Sequence, residues 1–303
     1  MLHPRARCPD SIQVVKREEK STVYRLLGAG PAGLPLIVKR CLPEPARLER
    51  TVYEEVLPRV PITSLQYYGS FDGAGGYSRV FLEDAGAERY SPADPEHRAL
   101  AGRWLGLLHT CAAHLAPTAG LPDRGPAYYL GHVRAARGAL TLSLGNPLLG
   151  ADEIGDIRAV IAQCDLLESR WSRLEEACAG APATLVHGAF RRKNVHLRSG
   201  PERPEILTMD WEMAGRAAPA ADLTRVDLAA YWSVVRQAWP GVDWSTIQGL
   251  AHAGRIFQRV AAIDWLSPRL GGDSRLVLLN PVASMAVHRA ALAEEIEAAG
   301  LAS

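Results

Sequence analysis

Two short runs constrain this chain more than any other part of it. They are Leu185-Val186-His187-Gly188-Ala189-Phe190-Arg191-Arg192-Lys193-Asn194 and, a little further on, Met209-Asp210-Trp211-Glu212. Strand signals at Thr184 to Val186, Val195 to Arg198 and Ile206 to Met209 flank them. Each run therefore reads as a polar loop hung from a short strand, with a small hairpin joining the two. Long helical patterns surround this pair on both sides: His97 to Leu115, Asp152 to Cys178, Ala221 to Trp239, Thr246 to Leu266 and Pro281 to Ala299.

The first part of the chain has a different texture. Ser11 to Lys16, Thr22 to Leu27 and Leu34 to Cys41 are short runs of β-formers, and three in succession predict an antiparallel meander. The turn Gly28-Ala29-Gly30-Pro31-Ala32-Gly33 lies between the second and third. Pro45 to Leu57 predicts one helix, with a proline in its first turn and Pro58 just past its end. Thr63 to Phe71 and Tyr77 to Glu83 predict two more strands joined by the hairpin turn Asp72-Gly73-Ala74-Gly75-Gly76. A polar connector, Asp84 to Asp94, follows. The expected architecture is α+β and bilobal: an N-lobe over residues 1–84, with a small antiparallel sheet and one helix, and a larger, mainly helical C-lobe over residues 85–303. No period of 20–50 residues repeats, so a solenoid is not supported.

Composition excludes several classes. With 303 residues, 48% of them apolar, the chain can bury a sizeable core. A net charge of +1 with both signs interspersed points to no nucleic-acid or membrane-surface partner. No apolar run of about 18 residues predicts a transmembrane helix, and residues 1–10 carry no apolar signal core. Five scattered cysteines without a CxxC pair suit a reduced, cytoplasmic chain. The spacing His109-x-Cys111-x-x-His114 could hold a metal, but on a helix His109 and Cys111 point to nearly opposite sides, so it reads as helix packing. Of 34 basic residues only Lys16, Lys20, Lys39 and Lys193 are lysines. Where arginine is so strongly preferred, a lysine marks places that call for a compact ammonium.

The two runs resemble those of the aminoglycoside phosphotransferase and choline kinase family, which has a protein-kinase-like fold. That family carries His-Gly-Asp, four residues and Asn, and later Asp-Trp-Glu or Asp-Phe-Glu. The resemblance covers nearly the whole chain in the right order. It implies ATP-dependent O-phosphorylation of a small hydroxylated molecule, such as an antibiotic or related metabolite. Asn194 and Asp210 then become the expected Mg²⁺ ligands, a hard cation that shares oxygen donors with substrate phosphates. Lys39, closing Leu36-Ile37-Val38-Lys39, would contact the α- and β-phosphates and pair with a helix glutamate, Glu49 ahead of Glu54 or Glu55. Lys20, Ser21 and Thr22 occupy the place of the loop that covers the phosphates, and the Gly28 to Gly33 turn is read as a hairpin turn instead. Phe81-Leu82-Glu83-Asp84-Ala85 resembles the hinge, where the Glu83 carbonyl and Ala85 amide would meet the adenine edge. His187 would brace the catalytic loop, and Asp222 resembles a structural aspartate of the family.

The departure is Ala189, which stands where the family has the carboxylate that meets the acceptor hydroxyl. A general base contributes roughly 10²–10⁴-fold, or about 3–5 kcal/mol of barrier, and a methyl group cannot supply it. Three readings follow: a base-deficient form of a working kinase, a pseudokinase that binds nucleotide or serves in a biosynthetic complex, or a kinase with another base or an acceptor that needs none. The acceptor clues conflict. Arg191, Arg192 and Lys193 suit a transferring phosphoryl group or an anionic acceptor, or equally a solvated basic loop. The acidic segment with Asp152, Glu153, Asp156, Asp165, Glu168, Glu175 and Glu176 suits a polycation. A Ser/Thr of a modified peptide remains a further acceptor class.

Overall fold

The computed structural model describes residues 8–73, 75–115, 120–200 and 204–302. The N-terminal residues 1–7 and Ala74 of the expected hairpin turn lie outside them. The chain forms two compact units, each discontinuous in sequence. The first takes Met1–Pro122, Thr184–Arg216 and Arg225–Trp239, and so contains the sheet, the connector and both motif loops. The second takes Asp123–Ala183, Ala217–Thr224 and Pro240–Ser303.

In the first unit a five-stranded antiparallel sheet has the order β1-β2-β3-β5-β4, built from β1 (Ser11–Arg17), β2 (Ser21–Leu27), β3 (Leu36–Cys41), β4 (Tyr67–Asp72) and β5 (Ser78–Glu83). The alternation that predicts these strands also sorts their faces. Leu36 and Val38 of β3 pack with Ala29 and Phe81, under Tyr24, Leu26 and Tyr68. Lys39 is one residue out of step with them, and lies between Val23 of β2 and Val80 of β5. β4 starts at Tyr67, four residues later than the sequence suggests.

The helix expected over 45–57 is α1 (Pro43–Thr51), followed by a π-helical turn, Val52–Val56, and a 3-10 turn, Leu57–Arg59. Pro43 is tolerated at its start because the first helical N–H groups have no intrahelical partner. The π turn presents Tyr53, which is buried, stacks on Tyr67 at 5.5 Å and donates its hydroxyl to Thr208 O at 3.2 Å.

The connector after β5 is held by its own bonds. Asp84 pairs with Arg25 at 2.6 Å, and Leu197 N donates to Glu88 O at 3.0 Å. His196 Nδ1 bonds Gly86 O at 3.0 Å. Next comes α2 (Pro95–Ala112), capped by Asp94, whose carboxylate accepts from Glu96 N at 2.8 Å. It packs on α6 (Leu228–Ala238) through Gly102 and Gly106, one turn apart. His109 of α2 is buried and shares a 3.1 Å hydrogen bond with the Tyr231 hydroxyl, while Cys111 is half-buried, in keeping with helix packing. β6 (Thr184–Val186) pairs with β9 (Gly215–Ala217), a strand the sequence reading missed. β7 (Val195–Ser199) and β8 (Pro204–Thr208) form the expected hairpin.

The second unit is helical: α3 (Pro126–Ser143), α4 (Ala151–Ser169), α5 (Trp171–Ala179), α7 (Trp244–Leu266) and α8 (Arg275–Ala298). α3 was not anticipated, since Gly125 offers no side-chain cap and Gly131 and Gly138 interrupt the pattern. The single helix expected over 152–178 breaks at Arg170 (φ −113°, ψ 12°). The pattern over 221–239 is a 3-10 stretch, Pro219–Arg225, before α6 begins at the Asp227 cap. Pro281 lies inside α8, not at its start, because Ser274 caps the helix earlier. Tyr129 stacks on Phe257 at 4.4 Å, and α8 packs on α4 and α7.

Most of the acidic segment is spent internally. Arg134 and Arg137 of α3 pair with Glu168 at 2.7 Å, Arg137 with Asp165 at 3.0 Å, and Arg289 with Asp156 at 2.7 Å. Arg275 pairs with Glu153. These carboxylates hold helices together, so they carry no argument for a polycationic acceptor. Contrary to the sequence reading, α8 is long and apolar enough to cross a membrane by length and composition alone; helices packed in globular folds can share both properties.

Two outcomes test this packing. A Cβ at Gly102 would lie 2.5 Å from Asp227 O, so Gly102→Ala should destabilise the fold by roughly 1–3 kcal/mol in urea titration despite alanine's better helix propensity. Burial, aided by Arg89, pushes the His196 imidazole below its ordinary value. The unfolded chain then binds more protons as pH falls below about 6.5, and stability drops in that window. His196→Gln should flatten the slope of stability against pH there.

Candidate active site

β3 register and the first helix create an ion cluster. Lys39 is 7% exposed, and its ammonium donates to Glu49 of α1 at 2.5 Å. It also donates to Asp210 Oδ1 and, at 3.4 Å, to Glu212. Glu49 is fully buried. One oxygen from each of Glu49, Asp210 and Glu212 lies within 4.8 Å of the others. Glu212 belongs to this cluster although the sequence reading did not single it out as a site residue; its place inside Asp-Trp-Glu was the available signal.

The charges explain each other. Burial by itself would lower the Lys39 pKa, but Glu49, Asp210 and Glu212 together outweigh it and hold the ammonium well above its ordinary value. Burial pushes the Glu49 carboxyl up, against the pull of Lys39. At Asp210 burial acts in the same direction, yet Lys39, with Lys193 adding, keeps the carboxyl below its ordinary value.

The two motif loops are laced together by backbone bonds. His187 is buried, stacked on Trp211 at 4.4 Å. Its Nδ1 accepts from Ala189 N at 3.3 Å and its Nε2 bonds Met209 O at 3.1 Å, a pair of partners that selects the neutral Nε2–H tautomer. Asn194 Nδ2 donates to Ala189 O at 3.0 Å, and Met209 N to Asn194 O at 3.0 Å. Gly188 has φ +72°, and a Cβ there would meet Met213 O at 2.4 Å, so only glycine lets the loops approach this closely. Asp210 itself is left-handed (φ 66°, ψ 58°), a strained state that aspartate tolerates better than most residues.

The remaining expected residues fall as follows. Lys20 is exposed in the β1–β2 turn, where Glu18 N donates to Ser21 O at 2.8 Å. Ser21 and Thr22 lie opposite Cys41 and Arg40, at the Lys39 end of β3. The turn of Gly28 to Gly33 joins β2 to β3 as a hairpin turn. Glu83 ends β5, its carboxylate bonded to Arg198 at 2.7 Å and to Gln66 N at 3.0 Å, and Ala85 is buried beyond it. Arg191 is half-buried and extended; Arg192 and Lys193 are exposed in a 3-10 turn, Arg192–Asn194. Ala189 is buried, so the β-carbon at that position presents no acceptor atom.

A buried lysine among three carboxylates stands beside two interlocked polar loops, a concentration of charge able to interact with phosphates and hard cations. The model of the phosphotransferase enzyme family (APH) matches residues 11–263, and the chain belongs to that family. No curated protein matches it. Among solved structures it is similar to a microcompartment-associated aminopropanol kinase, at 15% identity over 97% of this chain and 96% of that one, with a TM-score of 0.63. It is also similar to the GDP and kanamycin complex of APH(2")-IIIa (13%, 93% and 94%, 0.63). A third is the choline kinase of Cryptosporidium parvum Iowa II (9%, 96% and 91%, 0.62). The fold is protein-kinase-like, and the family supports a small-molecule phosphotransferase.

Removing the cation at the centre of this cluster should expose its energetics. Lys39→Met leaves buried carboxylates unpaired and should cost about 3–5 kcal/mol. Added Mg²⁺ should raise the melting temperature of that variant more than that of the parent protein. An equal rise in both would show that no metal replaces the lost charge.

Proposed function

We propose that this chain binds a Mg²⁺-nucleoside triphosphate, ATP in the first instance, and transfers its terminal phosphoryl group to a small molecule. The observation that carries the reading is the Lys39–Glu49–Asp210–Glu212 cluster beside the laced loops. Asp210 and Asn194 would hold the metal. Three carboxylate oxygens grouped around one ammonium fit a hard divalent cation, and the Asn194 amide, tied through Nδ2, leaves its Oδ1 free of protein donors among the described residues. When bound, Mg²⁺ neutralises phosphate charge. Lys39 would orient the phosphates while Glu49 holds its ammonium in place, and the His187–Met209 and Asn194–Ala189 bonds keep both loops in register. A structural neighbour solved with GDP supports nucleotide use.

Position 189 limits the chemistry. With alanine there, an alcohol acceptor finds no carboxylate to take its proton, and transfer to it would be slower by about 10²–10⁴-fold than with a base in place. Nucleotide and metal binding do not depend on that carboxylate. The same residue supports a second reading, in which the chain binds nucleotide without transferring phosphate.

Calorimetry should detect nucleotide binding that requires Mg²⁺, and Asp210→Asn should abolish the metal dependence. Ala189→Asp, assayed with kanamycin, ethanolamine and other hydroxyl compounds, should gain transfer by about 10²–10⁴-fold if the active-site reading holds. Binding without any transfer in either form would favour the second reading, and absence of nucleotide binding would sink both.

A further inference from the structure

The charge that position 189 lacks is not replaced within its loop. Between Gly188 and Asn194 there is no carboxylate, and there are three cations: Arg191, Arg192 and Lys193. Both ring nitrogens of His187 are engaged by backbone groups. Its Nδ1 lone pair is used by Ala189 N, and its Nε2 donates to Met209 O. Glu49, Asp210 and Glu212 each give one oxygen to Lys39, and none of them belongs to this loop. Arg192 and Lys193 are exposed, and among the described residues neither makes an ion pair. The loop is therefore poor in proton acceptors and rich in exposed positive charge, of which only Lys193 also attracts Asp210.

Resting on the phosphotransferase reading above, we infer that the acceptor is an oxyanion, its nucleophilic oxygen already ionised at neutral pH, and that Arg192 and Lys193 bind it. An alcohol must lose a proton to attack. A carboxylate, with an ordinary pKa of about 4, or a phosphate monoester, with a second pKa of about 6, need not. What such an acceptor needs is neutralisation of its repulsion with the phosphates, and exposed cations supply that. In the step, a lone pair on the acceptor oxygen forms the new bond to the γ-phosphorus. The bond from that phosphorus to the β,γ-bridging oxygen breaks, and its electron pair leaves with the nucleoside diphosphate. No proton moves. A carboxylate would give an acyl phosphate, and a phosphate monoester a pyrophosphate. A carboxylate at 189 would repel either acceptor, so alanine is the residue this chemistry calls for.

Two measurements on the full chain test this. In the first, inorganic phosphate and malonate are titrated into the protein with Mg·ADP present. Arg192→Gln combined with Lys193→Gln should weaken their binding by at least about tenfold while Mg·ADP still binds, and Ala189→Asp should weaken it in the same direction. In the second, transfer from γ-labelled ATP is followed to acetate and succinate with a hydroxylamine trap, to methyl phosphate, and to ethanolamine and kanamycin. Label in the hydroxamate-forming product or in the pyrophosphate, and none in the alcohols, is the expected result, with Ala189→Asp reversing the preference. The first product identifies a carboxylate acceptor and the second a phosphate. Anion binding unchanged in the double variant overturns the assignment, as does label in none of the anions while Mg·ADP binds. Transfer to alcohols by the unaltered chain overturns it too, and its loss in Glu212→Gln would mark Glu212 as the base. Failure to bind Mg·ADP at all would instead remove the phosphotransferase reading on which this rests.

Discussion

The Lys39 ammonium is the group on which the rest of the first unit depends. A lysine this buried is unstable without anions, and three carboxylates this close are unstable without a cation. β3 supplies the lysine, α1 supplies Glu49, and the loop after β8 supplies Asp210 and Glu212. Sheet, helix and loop are thus joined through one point of balanced charge. On the proposed reading, this is also the point at which a hard cation and phosphates would bind.

Around that point, order is imposed by groups that carry no net charge. His187 is fixed as one tautomer between a backbone N–H and a backbone carbonyl, and its ring rests on Trp211, which is fully buried. Gly188 permits an approach to the Met213 carbonyl that any side chain would block. Asp210 is held left-handed at the turn into Trp211–Met213. Strain and close contact concentrated in two short loops indicate that their geometry is specified tightly, which is what positioning chemistry requires. Against that background Ala189 is informative, since its backbone is still used on both sides while its side chain offers no proton acceptor.

Much of this was legible in the residues. Alternation marked all five strands of the sheet, with β4 misplaced only at its start, and the isolated lysine at the end of β3 stood out in a chain that otherwise prefers arginine. The motif spacing drew attention to Asp210, which the fold places against Lys39. What was illegible has local physical causes. α3 lacks a capping side chain and carries two glycines, so its helical pattern is weak. The break at Arg170 and the π turn after α1 leave no mark in apolar spacing, because both keep the buried face nearly continuous. Pro281 misled, since a proline usually opens a helix and this one is buried within α8.

By itself the sequence determined the classes of element, the order of the parts and the two loops on which the site is built, because these follow from short-range periodicity and from residue types at fixed spacing. Only the tertiary structure decided how charges are shared. It brought Glu212 to Lys39 beside Asp210, and it turned the acidic stretch of α4 into helix-binding ion pairs with Arg134, Arg137, Arg275 and Arg289. It also left Arg192 and Lys193 exposed and without an ion pair among the described residues. Pairing of charges depends on distances across the fold, and residues far apart in sequence carry no record of those distances.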